Sequence, residues 1–304
     1  MKHKDFLKQM RLQEQEKRSS GDESTADLYR AVRNHFRNYN REREFSLADM
    51  TPEKVYGFIE WLRSKGLRIN SVNSYLSSLR AMYNRACREW RQKPQDSPFA
   101  GLRLRREDTS KRAISAEVIA RIASLDLKAE PEKQQAADMA VFSFMACGMP
   151  FVDLVHLTRE NLSEDGKVLS YHRQKTGALI RIEVTEGMQT LMDRYNREDT
   201  KYLFPVLSED ASHEQYKYCL ACQNQKLDEI RRQLGMDGKL TTYVFRHTWA
   251  SEAYHRHIPI AIISQALGHS SEKMTRIYLS AFGLHELAKA NKQVSGKVEL
   301  LVIG

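Results

Sequence analysis

The stretch LGHSSEKMTRIYLS, residues 267–280, places a histidine and a tyrosine nine positions apart, His269 and Tyr278. On an unbroken helix nine residues make about two and a half turns, which puts the two side chains on opposite faces. They can belong to one site only if the chain bends between them. The sequence allows such a bend. Gly268 suits the end of one helix, and Ser270 and Ser271 suit the start of another. A lone histidine and a lone tyrosine usually pack or face water, so the meaning of the pair depends on what else the chain brings to it.

Three other places upstream qualify. TTYVFRHTWAS, residues 241–251, carries Arg246-His247 inside an apolar helical pattern, with Tyr243 three residues earlier. GKVLSYHRQKTGALIRIEV, residues 166–184, alternates in the β manner on both sides of Lys175-Thr176-Gly177, which predicts a hairpin. CGMPFVDL, residues 147–154, follows a strongly apolar helix at about 134–147, itself preceded by a helix that starts after Ile114-Ser115. Beyond the hairpin the pattern is helical to about residue 292. These elements predict a mixed α/β domain over 113–293, closed by a short, apolar, β-prone tail over 294–304 suited to contact in trans.

The first third of the chain reads differently. Residues 1–24 are polar and charged and predict a flexible arm or a frayed helix. From Thr25, Leu28, Tyr29, Val32, Phe36 and Tyr39 recur at helical spacing, with Arg30, Arg33 and Arg37 on another face. Thr51-Pro52 reads as a cap followed by a first helical residue, with Val55, Phe58, Ile59 and Leu62 inward and Gly66 as the stop. Asn70 or Ser71 is expected to cap the next helix. Its inner residues are Val72, Tyr75, Leu76, Leu79, Met82, Tyr83 and Ala86, and Arg80, Arg85 and Arg88 project elsewhere. Together 25–91 form a small helical domain with basic faces. Residues 92–112, RQKPQDSPFAGLRLRREDTSKR without its first arginine, break the periodicity and read as a basic linker that includes Arg105 and Arg106.

Composition agrees with that division. The net charge is +9 over 304 residues. Through Arg112 there are 25 lysines and arginines against 15 acidic residues, and beyond it 23 against 24. The whole excess lies in the first third, and a polyanion is its simplest partner. No apolar run spans a membrane and no signal-peptide pattern opens the chain, so a cytoplasmic protein is expected. Cys219 and Cys222 form a single C-x-x-C in a helical segment, which predicts helix residues rather than a zinc or redox site.

The order of these motifs, with Lys175 in QKTG, Arg246 in FRHTWAS, His269 in LGH and Tyr278 nine residues on, resembles the tyrosine recombinase family of the phage-integrase type. CGMPFVDL followed by QKTG is similar to its mobile-element branch. The resemblance covers the full architecture. It implies a mainly α fold with a small β-hairpin: a helical core-binding domain, a linker and a catalytic domain, closing as a two-domain clamp on double-stranded DNA. It also implies Tyr278 as nucleophile, Arg246 as the fork on the scissile phosphate, Lys175 as general acid and His269 as a phosphate ligand. No metal and no cofactor is implied, because the cations do that work. Partners would be a homo-oligomer of up to four protomers on DNA, and accessory DNA-bending proteins. The arginines 30, 33, 37, 80, 85, 88, 105 and 106 would contact DNA.

Two positions depart from the family pattern. A histidine usual three residues before the second arginine is Tyr243 here. The first catalytic arginine falls at Pro150, or in the mobile-element branch at Cys147, and neither can hold a phosphate. Arg173, two residues before Lys175 and so on the same face of a strand, is the candidate replacement, ahead of Arg181 and Arg159; surface contact with DNA is the rival reading of all three, and the favoured one. Two rival functions remain at this point: a non-catalytic DNA-binding protein on the same fold, and an enzyme of the type IB topoisomerase kind.

Overall fold

The computed structural model describes residues 5–92, 97–102, 107, 113–197 and 199–276, together with 279, 288, 291, 292 and 295. The chain divides into two units, Met1–Thr109 and Ser110–Gly304. The expected DNA-contacting Arg105 and Arg106, the expected nucleophile Tyr278, and the tail apart from Ser295 lie outside the described residues.

The first unit is helical: α1 (Phe6–Ser19), α2 (Glu23–Tyr39), α3 (Pro52–Ser64) and α4 (Ile69–Glu89). Thr51 caps α3 by accepting from the Lys54 amide at 3.2 Å, with Pro52 at the first helical position. Gly66, at φ +78°, lies just past its end. The cap of α4 differs from expectation. The helix starts at Ile69 after Arg68, without a side-chain cap, and Asn70 instead donates to the Glu107 carbonyl at 2.7 Å. The core is aromatic. Phe36 meets the rings of Phe45 and Phe58 edge-on at 5.0 and 5.2 Å, a geometry that ring quadrupoles favour.

The expected flexible arm is instead a core helix. Phe6 and Met10 of α1 are fully buried in the aromatic cluster. Asp5 caps the helix at the Leu7 amide and also accepts from the Phe45 amide. The Phe6 amide donates to the Phe45 carbonyl at 2.7 Å. A periodicity reading misses this because the burial is partly polar. Gln13, fully buried, donates to the Met82 carbonyl at 3.2 Å, and Glu14 holds Arg33 at 2.7 Å. A helix anchored by two apolar residues, one amide and one ion pair shows no broad apolar stripe. Phe6→Ala is therefore expected to destabilise this unit by about 3 kcal/mol, as for other buried phenylalanines. Urea unfolding would read the change; a loose arm would give none.

The basic faces are partly neutralised within the unit. Arg30 pairs with Asp27 at 3.1 Å, Arg33 with Glu14, Arg37 with Glu42 at 3.8 Å, and Arg85 with Glu16 and Glu89. Arg80 and Arg88 are exposed and make no ion pair among the described residues.

The second unit packs α5 (Ala116–Ala123), α6 (Pro131–Met145), the short α7 (Phe151–Leu154), a hairpin of β1 (Val168–His172) and β2 (Leu179–Glu183), then α8 (Glu186–Tyr195), α9 (His213–Gln233), α10 (Thr242–His255), α11 (Ile260–Ala266) and α12 (Glu272–Arg276). The strands pair antiparallel, with Tyr171 opposite Ile180. Leu169, Tyr171 and Ile180 point into the core, as period-2 alternation requires. Asp138 on α6 accepts from Arg194 and Tyr195 of α8 at 2.6 Å each, tying those helices together. Cys219 and Cys222 both lie on α9, where Cys219 donates to the Val206 carbonyl. No cluster of His, Cys, Asp and Glu suited to a metal occurs among the described residues. Nor is any described helix long and apolar enough to cross a membrane.

Candidate active site

The helix break expected around His269 is present. α11 stops at Ala266, Gly268 takes φ +63°, and α12 begins at Glu272. The turn presents two backbone carbonyls, of Leu267 and Gly268, and the site is built on them.

Arg246 reaches this turn from α10. Its side chain is 2% exposed. Nη2 donates to the Leu267 carbonyl at 2.5 Å and Nη1 to the Gly148 carbonyl at 3.0 Å. The CGMP loop thus does not supply an arginine. Cys147 sits at φ +56° with its thiol pushed up to about 11 by burial, and Pro150 caps α7. The loop supplies instead a carbonyl that fixes Arg246. Gly148 is required there: at φ +70°, a Cβ would stand 2.8 Å from the Arg246 Cα.

Arg173 arrives from the hairpin and donates through Nη1 to the same Leu267 carbonyl, at 2.6 Å. Two guanidinium groups therefore converge on one oxygen. Arg173 is 6% exposed, and its Nε faces Asp153 Oδ2 at 2.9 Å. The angle there is not that of a hydrogen bond, so the contact is a charge pair. Burial pushes the Asp153 carboxyl up, while the Gln174 amide and the Arg173 and Arg246 charges pull it back. Gly268 permits the approach, since a Cβ there would stand 2.8 Å from Arg173 Cγ.

Lys175 sits at the exposed tip of the hairpin turn, which is tied on both sides. The Gln174 amide donates to Asp153 Oδ1 at 3.0 Å, and the Thr176 hydroxyl to the Gly268 carbonyl at 3.1 Å. The strand ends at His172, so the same-face argument for Arg173 and Lys175 does not apply. Arg173 is buried, Lys175 is exposed, and the anchored turn is what relates them. His269 completes the group. Its Nε2 lies 3.2 Å from Arg246 Nη2 and its Nδ1 2.9 Å from Thr275 Oγ1. Burial, then Arg246, Arg173 and Lys175, push its pKa down to about 4.

The structure thus brings Arg246, Arg173, Lys175 and His269 to one place. Tyr243 is 39% exposed on the first turn of α10, with its ring edge-on to His247 at 5.1 Å. Arg181 is exposed on β2. Arg159 binds the Thr200 and Arg197 carbonyls and Asn196, which makes it a brace for those three residues. Sequence reading missed Thr176 and Thr275. The signal available was a short hydroxyl residue beside each motif.

Residues 5–99 match a model of the phage integrase SAM-like domain, and residues 113–283 match a model described as the phage integrase family. Among curated proteins, tyrosine recombinase XerA of Pyrococcus furiosus is 25% identical, over 77% of this chain and 78% of that protein. Tyrosine recombinase XerC of Leptospira interrogans is 23% identical, over 85% and 83%. Among solved structures, the Tn1549 transposon integrase in complex with transposon right-end DNA superposes with a TM-score of 0.68 at 15% identity, covering 95% of this chain and 99% of that one.

Proposed function

The chain belongs to the phage integrase family, and on that premise we propose that it is a site-specific DNA recombinase of the tyrosine type, serving a mobile element. The convergence of Arg246 and Arg173 on the Leu267 carbonyl, with Lys175 and His269 beside them, carries this reading. Two guanidinium forks suit the two non-bridging oxygens of a scissile phosphate, on which charge builds in the transition state. Tyr278 attacks the phosphorus and gives its phenolic proton to solvent water, a 3′-phosphotyrosine bond forms, and the bond to the 5′-oxygen breaks. Lys175 delivers the proton that the departing oxygen needs. A second strand's 5′-hydroxyl reverses the step, so no external energy source is required. Arg173 takes the role that Pro150 and Cys147 cannot. Tyr243 lends at most a hydrogen bond to phosphate.

The excess positive charge of the first third, with exposed Arg80 and Arg88, supports duplex DNA as the partner. Four protomers would complete a recombination event, with accessory DNA-bending proteins as further partners. XerA and XerC are named tyrosine recombinases, and the Tn1549 protein a transposon integrase.

The deciding experiment uses a duplex nicked beside the cleavage site, so that the freed short strand diffuses away and the covalent product accumulates. The expected result is a protein–DNA adduct whose modified peptide contains Tyr278. Retarded DNA mobility without any adduct would establish instead a binding protein on a recombinase fold, the rival reading that the missing first arginine motivates.

A further inference from the structure

We propose that Thr275 is a positioning residue: its hydroxyl accepts the Nδ1–H of His269 and so fixes the tautomer whose Nε2 lone pair takes an N–H of Arg246. The argument is one of donors and acceptors. A guanidinium has N–H donors and no acceptor. At 3.2 Å from Arg246 Nη2, the His269 Nε2 must therefore present its lone pair. In a neutral imidazole the proton then sits on Nδ1, which is 2.9 Å from Thr275 Oγ1. Thr275 is 0% exposed, so water does not take its place.

A protonated ring would aim a second N–H at the guanidinium and add a like charge. The groups facing the ring are Arg246 from α10 and Arg173 and Lys175 from the hairpin. Asp153, the nearby carboxylate, is already paired with Arg173. Among the described residues the unbalanced charges that act on the imidazole are thus positive, and the ring stays neutral, in line with a pKa near 4.

The consequence concerns Arg246 more than His269. Nη1 is held by the Gly148 carbonyl, and Nη2 lies against both the Leu267 carbonyl and His269 Nε2. These contacts set the plane of the fork. In this state His269 orients the arginine and does not offer an N–H to phosphate, which differs from the role that resemblance implies. A hydroxyl six residues along the chain sets the direction of the ring, by the same logic that fixes histidine ligands at metal sites.

The inference rests on the recombinase reading only for its effect on rate, so its test has a readout without DNA. In the 15N-labelled full chain, His269 is identified as the imidazole whose signals vanish in His269→Gln. The expected pattern is Nδ1 protonated and Nε2 bare, unchanged down to about pH 5, with a slowly exchanging Nδ1 proton. Thr275→Ser should keep that pattern. Thr275→Val should lose the slow proton or mix the tautomers, and lower adduct formation on the order of 10- to 100-fold through a misplaced fork. A wild-type ring protonated at Nε2 would overturn the proposal, as would a Thr275→Val spectrum identical to wild type. If the valine variant fails to fold, the wild-type spectrum and Thr275→Ser still decide. Absence of adduct in every variant, with the expected spectrum, would count against the recombinase reading and not against this one.

Discussion

Arg173→Lys is expected to slow covalent adduct formation about a hundredfold, on the order of 3 kcal/mol in the transition state, with little change in duplex affinity. The lysine keeps the positive charge, so Asp153 is not left alone in a dry site. What it loses is the planar fork. In the structure Arg173 spends Nη1 on the Leu267 carbonyl and turns Nε toward Asp153, while Nη2 has no hydrogen bond to another described residue. A compact ammonium on a flexible stem cannot hold both anchors and still present a third N–H in a fixed plane. If Arg173 were only the structural partner of Asp153, the conserved charge would suffice, and a near wild-type rate in Arg173→Lys would show it. Single-turnover cleavage of the nicked duplex, beside a binding titration at the same salt, separates the two outcomes.

The replacement of the first arginine was half legible in the sequence. The loss was plain, because Cys147 and Pro150 stand where a cation belongs. Arg173 was nameable because it lies two residues from Lys175, yet the reason given, strand alternation, is not the reason it works. The chain leaves the strand at His172 and turns, and Arg173 is directed by a carbonyl and a glycine of the Leu267 turn and by a carboxylate of α7. Those contacts span more than ninety residues between the hairpin and the Leu267 turn, so no local periodicity records them. The bend at Gly268 was legible for the opposite reason: a positive-φ turn is a property of one residue. The first helix was missed for a further reason. Its burial depends on Gln13 and Glu14 finding partners on other helices, and composition counts such residues as solvent-facing.

Asp153→Ala is the second variant with a large expected effect, and it tests whether the hairpin and the arginine are held by one group. Asp153 is 4% exposed. One oxygen accepts from the Gln174 amide at 3.0 Å and the other faces Arg173 Nε at 2.9 Å. Removing the carboxylate leaves a buried guanidinium without its counter-charge and releases one tie of the turn that carries Lys175. A loss of about 3–5 kcal/mol in the stability of the second unit is expected, with cleavage falling further than Arg173→Lys alone, since fork and general acid are both set loose. Asp153→Asn keeps an acceptor for the Gln174 amide and removes only the charge, so it should restore part of the stability. The coupling is measurable as a cycle. In an Arg173→Leu background there is no guanidinium to strand, and Asp153→Ala should cost at least about 1 kcal/mol less than in the native chain. Strict additivity would mean that the 2.9 Å approach is incidental and that the hairpin is positioned by its backbone and by the Thr176–Gly268 bond.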